Sequence, residues 1–132
     1  MKIIHKNTKT ITESDNNLFC LLTMNPHPVH TNIEYAKKAK HGRILVAGTL
    51  TFSLAVGLTV PEVSFDAIAN LEYSNVRHVA PVFLNDTIRV ESHVKVEPAN
   101  STEIWDVTSL VFNQHDNMVL TFERKVLKYK NE

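Results

Sequence analysis

Hydrophobic and polar positions alternate without a break from Ile88 to Glu97. Ile88, Val90, Ser92, Val94 and Val96 fall on one side, and Arg89, Glu91, His93, Lys95 and Glu97 on the other. A period of two over ten residues predicts a strand with one covered face. Noisier alternation over 67–79, 103–113 and 119–129 predicts three more strands. Asn113-Gln114-His115-Asp116-Asn117 and Pro98-Ala99-Asn100-Ser101 carry the turn formers that would join them. The first third of the chain reads differently. Thr12-Glu13-Ser14-Asp15 is a capping signal ahead of Leu18, Phe19, Leu21 and Leu22 at helical spacing, which predicts a helix over 13–23. A short helix follows over 33–39, closed by Gly42, and a third over 47–58 is apolar all round with small residues interspersed. A weak strand is expected near Lys9. Helices first and an antiparallel meander after them predict an α+β fold in which the all-apolar helix lies against the sheet.

Composition narrows this picture. With 132 residues the chain is long enough for one core, so a single domain over 1–132 is expected. Fourteen basic and fourteen acidic side chains cancel, which leaves no global field to gather nucleic acid or an anionic membrane surface. The lone cysteine, Cys20, has no intrachain partner and sits in the apolar run Leu18–Leu22, where a small buried hydrophobe is expected. The N-terminus has no apolar signal segment, so a cytoplasmic location is expected. The most hydrophobic window, 44–60, is at the short limit for a membrane span and is interrupted by threonines and glycines.

The candidate chemistry gathers in Asn25-Pro26-His27-Pro28-Val29-His30. Each proline fixes its own φ and drives the residue before it out of the α region, so a stiff, extended loop is expected. His30 then arrives just before Asn32, a good N-cap, with Glu34 in the first turn of the next helix and Lys37 in its last. An imidazole held at a helix mouth is a candidate acid and base.

These residues also carry a resemblance. The capped helix, the loop ending at His30, Glu34-Tyr35-Ala36-Lys37-Lys38, and Gly42-Arg43-Ile44-Leu45-Val46-Ala47-Gly48-Thr49-Leu50-Thr51 follow one another in an order that resembles the MaoC-like dehydratase family. Asn75-Val76-Arg77-His78-Val79-Ala80-Pro81-Val82, running on through Asp86-Thr87-Ile88, resembles a second, separate segment of that family. The resemblance implies a hot-dog fold, an antiparallel sheet wrapped around a central helix, and a dimer with a continuous sheet. It implies reversible hydration of a short 2-enoyl thioester, carried by coenzyme A or by an acyl carrier protein, with coenzyme A as part of the substrate and no cofactor or metal. In the family motif an Asp and a His hold and deprotonate the water that adds to C3. That His is His30 here, and the Asp position is Asn25.

An amide has no titratable proton near neutrality and cannot be a general base. Three readings therefore stand side by side. His30 works alone while Asn25 orients the water; or His27 supplies a second titratable group; or the site binds an acyl thioester without turning it over. This version of the loop is similar to that of short-chain members associated with mesaconyl-CoA and methylmalyl-CoA hydration. By the same resemblance Gly48, at the start of the apolar helix, offers its N–H to the thioester oxygen, a role suited to a helix N-terminus. His27, Arg43 and Thr49 are the expected substrate contacts, Arg43 because its fork suits a phosphate or a carboxylate. His27, His30 and His41 lack a Cys or carboxylate at ligand spacing, so no metal site is expected. A thioesterase on the same scaffold would need Glu62 or Asp66 to activate water.

Overall fold

A strongly bent antiparallel sheet closes over one helix, as a computed structural model of the chain shows for residues 1–130. The last two positions of the expected 1–132 domain lie outside the described residues. The elements run β1 (Lys2–Ile4), β2 (Lys9–Thr10), α1 (Glu13–Leu22), α2 (Pro28–Thr31), α3 (Ile33–Lys37), α4 (Gly48–Thr59), a π-helical turn (Val60–Ser64), β3 (Ala69–His78), β4 (Thr87–Pro98), β5 (Thr102–Phe112) and β6 (Met118–Tyr129). The sheet order is β1-β4-β5-β6-β3, with β2 pairing on β4. The meander β4-β5-β6 is built from tight hairpins, and β3 returns to pair with β6.

The alternation of β4 dictates what it covers. Ile88, Val90, Ser92 and Val94 are all buried: Ile88 and Val90 pack against α4 with Val111, Leu120 and Phe122 from the neighbouring strands, and Val94 packs with Val63, Val107 and Val126 in a second cluster. Val96, on the same side, is 40% exposed and lies beyond both clusters. α4 contributes Leu50, Ala55 and Leu58, and its Phe52 meets Phe122 and Tyr73 edge-on with ring centroids 5.1 and 5.4 Å apart. Edge-to-face pairs add about 1 kcal/mol beyond the area they bury.

Three local features differ from the pattern-based expectations. α1 begins at the predicted cap, with Asp15 N–H donating to Thr12 Oγ1 and Thr12 N–H to Asp15 Oδ2, and Cys20 is buried as expected, but the other buried residue is the polar Asn16. Leu18, Leu21 and Leu22 are 56%, 74% and 73% exposed. The proline-rich loop is not wholly extended: Pro28 starts the four-residue α2, because its fixed φ suits a first helical position while His27, extended before it, serves as the cap. β1, three residues long, carries too short a pattern to read from sequence.

Candidate functional site

His30 lies in α2, and three contacts fix it. Its N–H donates to His27 O at 3.1 Å, its carbonyl accepts from Asn16 Nδ2 at 2.8 Å, and its ring Nδ1 meets Leu45 O at 2.7 Å. A carbonyl can only accept, so Nδ1 carries the proton. The other ring nitrogen, Nε2, has no hydrogen-bond partner among the described residues, and His30 borders a cavity of about 150 Å³. The same cavity is bordered by Gly48 and Thr51 of α4, by His78 at the end of β3, and by Ala80, Pro81 and Val82.

Asn16 joins the two halves of this arrangement. Fully buried on α1, it donates to His30 O and accepts from Ala47 N at 3.1 Å, so one side chain ties α2 to the N-cap of α4. α4 has no side-chain cap, and the first N–H groups of a helix lack intrahelical partners. They provide partial positive charge at the cavity wall. A side chain at position 48 would collide with His78: a Cβ there would come within 3.0 Å of the ring Cε1 and 3.1 Å of Nε2. Glycine at 48 is thus what lets the His78 imidazole lie over the start of α4. Thr51 is 1% exposed, and its Oγ1 has no hydrogen-bond partner among the described residues. A buried hydroxyl without a partner costs on the order of 1–3 kcal/mol.

The structure thus brings His30 and Gly48 to one cavity, which the other predicted site residues do not border. Asn25, expected to orient water beside His30, accepts the His27 N–H on Oδ1 at 3.2 Å and borders a different cleft with Asn17, Cys20 and Met24. His27 accepts the Val29 N–H on Nδ1, and its ring lies 6.0 Å from that of His30. Thr49 is exposed. The Arg43 guanidinium stacks 3.6 Å over the Phe83 ring and lines a cleft of about 330 Å³ with Lys37. That cleft shares Ile33, Ile44 and Leu84 with a larger one, of about 530 Å³, that reaches His30. A continuous surface therefore leads from the basic pair to the imidazole. Neither carboxylate that a thioesterase would need borders the His30 cavity. Glu62 accepts from the His5 ring and Lys6 N–H, and Asp66 pairs with Lys128. Burial pushes the Cys20 thiol up, away from the reactive thiolate.

Asn16, Thr51 and His78 were not picked out by sequence reasoning. His78 lies inside a segment noted for its resemblance, and its signal was a titratable side chain ending a strand just ahead of Pro81.

Residues 1–112 match the family model described as MaoC like domain. The chain is 32% identical, over 98% of its length and 38% of the relative's, to a β-methylmalyl-CoA dehydratase of Chloroflexus aurantiacus. It is 31% identical, over 98% of its length and 39% of the relative's, to a mesaconyl-CoA hydratase of Cereibacter sphaeroides. It therefore spans less than half the length of these curated relatives. Among solved structures, a protein of Archaeoglobus fulgius described as a monoamine oxidase regulatory protein superposes with a TM-score of 0.87 at 31% identity, over 100% of this chain and 90% of that one. A Mycobacterium tuberculosis protein described as having a double hotdog fold superposes with a TM-score of 0.88 at 14% identity, over 99% of this chain and 42% of that one. The latter likeness shows the fold, which is the hot-dog fold. No helix among the described residues is long and apolar enough to cross a membrane.

Proposed function

Because this chain belongs to the MaoC-like domain family, we propose that it hydrates and dehydrates a short 2-enoyl thioester, with His30 as the base that takes the proton from water. The observation that carries the reading is the Nδ1–H bond from His30 to Leu45 O, which makes Nε2 the nitrogen that exchanges protons, on a ring that borders one cavity with Gly48. Addition of water to C3 builds enolate charge on the thioester oxygen. The Gly48 N–H is the donor for that charge, and losing such a donor typically costs about 3 kcal/mol. The cavity of about 150 Å³ suits a short acyl group. Coenzyme A, as part of the substrate, follows the shared surface past Ile33, Ile44 and Leu84, with its phosphates near Lys37 and Arg43. The names of the two curated relatives support a branched dicarboxylic acyl group such as mesaconyl. Asn25 serves the turn that aims His30 by holding the His27 N–H. A second copy of the chain is the expected partner.

The test is hydration of crotonyl-CoA and mesaconyl-CoA, followed as loss of the conjugated-enoyl absorbance, by wild type and His30→Ala. Wild-type turnover that drops at least about a hundredfold in the variant supports the reading. A wild type that binds both thioesters and hydrates neither makes this an acyl-thioester binding protein, and release of free thiol makes it a thioesterase.

A further inference from the structure

Hydration needs two proton movements, one from water and one to C2, and Asn25 can perform neither. Two titratable side chains border the cavity of about 150 Å³ among the described residues: His30 from α2 and His78 from β3. The geometry points to His78 as the second catalytic residue, the acid that delivers the proton to C2, and this rests on the hydratase reading above.

Three observations on different elements support it. The His78 ring lies directly over Gly48, with the Cε1–Nε2 edge nearest the place a Cβ would take. This is the wall on which the thioester oxygen is held, and C2 is bonded to the thioester carbon. His30 borders the same cavity from α2, and the assignment requires the enoyl group to lie with C3 toward His30 and C2 toward His78. The third observation is the rest of the lining, which offers no other titratable side chain among the described residues. What surrounds His78 also leaves it free to act. β6 presents Val119 and Leu120 to the end of β3, α4 presents Gly48 and Thr51, and the following turn presents Ala80, Pro81 and Val82. No carboxylate faces it from these residues, and Arg77, its neighbour along β3, points to the opposite face by strand alternation.

The step balances without a co-reactant. His30 Nε2 takes a proton as the water oxygen forms its bond to C3. The π pair of C2=C3 moves onto the enolate, and its C2 takes the proton from His78 Nε2. His30 ends protonated and His78 neutral, and each exchanges one proton with solvent in opposite senses to reset the site. One imidazole must therefore begin neutral and the other charged, which gives kcat a bell-shaped pH dependence.

The experiment compares wild type, His30→Ala, His78→Gln and His78→Phe on crotonyl-CoA and mesaconyl-CoA, measuring kcat and KM across pH, with circular dichroism of each protein. Phenylalanine keeps an aromatic ring over Gly48 and has no proton to give. Both His78 variants are expected to keep the wild-type spectrum and KM, to lose about a hundredfold in kcat, and to lose the alkaline fall of the kcat profile. A folded His78→Gln or His78→Phe with wild-type kcat and both limbs intact overturns the proposal while a dead His30→Ala leaves the hydratase reading standing. A rise in KM confined to mesaconyl-CoA, with kcat unchanged, also overturns it, since His78 would then contact the acyl carboxylate rather than donate a proton. A wild type inactive on both thioesters removes the hydratase reading and this assignment together.

Discussion

Asn16 shows how much of the candidate site depends on a residue that does not border its cavities. Its amide spans from His30 O to Ala47 N, fixing at once the helix that carries the imidazole and the start of the helix that carries Gly48. Asn16→Leu is close in volume and removes both bonds, leaving the Ala47 N–H and the His30 carbonyl without the partner they have now. Each buried group so orphaned costs on the order of 1–3 kcal/mol. We expect the variant to unfold at a lower urea midpoint, by about 2–4 kcal/mol in stability, and to lose activity in excess of its unfolded fraction, as urea titration and turnover on the same samples would show. His30 and Gly48 stood out in the sequence as candidates, His30 from its proline-stiffened loop and Gly48 from the resemblance. Asn16, Thr51 and His78 did not, because their meaning comes from long-range contact: Asn16 meets a residue 14 positions away, and His78 meets Gly48 only once β3 has folded back along α4. A polar residue on a helix face otherwise buried at Cys20 was the one trace that Asn16 left.

At the scale of elements, strand periodicity placed β3 to β6 within two residues of their ends, since a sheet with one covered face must alternate. α1 was placed correctly, and Cys20 is buried as expected. Asn16 is buried beside it while Leu18, Leu21 and Leu22 turn outward, which a pattern of hydrophobicity alone cannot foresee. The π-helical turn after α4 left no local signal, and it carries Glu62 to a buried polar chain. His5 Nδ1 donates to Glu62 Oε1 at 3.3 Å, Nε2 accepts from Ser92 Oγ at 2.8 Å, and Ser92 in turn lies 2.8 Å from Ser109 Oγ. Burial holds the His5 imidazole below its ordinary value of 6.5, outweighing the upward pull of Glu62, while Arg124 adds to the lowering. The native ring is thus neutral near neutrality, and its contact with Glu62 is a hydrogen bond rather than an ion pair. The unfolded chain binds this proton more readily than the native one, so stability rises with pH across the interval between the two values. The contribution is complete above 6.5 and is lost as pH falls through the lowered native value. Melting temperatures at about pH 7.5 and about pH 5 should differ more in wild type than in His5→Gln, which cannot take up the proton. An equal difference in both proteins would place the acid sensitivity elsewhere.

The whole molecule has an asymmetry between its two sheet edges. β1 closes one edge with only three residues, whereas β3 leaves ten along the other. Along and beside β3, Leu71, Tyr73, Val76 and Val79 are 40% exposed or more, and Phe65, just before the strand, is 82% exposed. Long apolar edges invite another strand, and isolated proteins usually blunt them with charge, proline or bulges. The register shifts at Asn70/Glu72 and Ser74/Arg77, with Asn75 at φ 50°, are bulges of this kind, but the apolar side chains between them stay uncovered. Two copies related by a twofold axis would pair β3 with β3 and cover each other's patch in one self-complementary contact. Light scattering after size exclusion is therefore expected to give twice the chain mass. Val76→Lys, which sets like charges against each other across the axis, should shift the species to the single-chain mass. His78 ends the same strand, so the separated chains should also hydrate more slowly, even though position 76 does not border the cavity. A Val76→Lys protein that stays at twice the chain mass would move the contact to the exposed leucine face of α1.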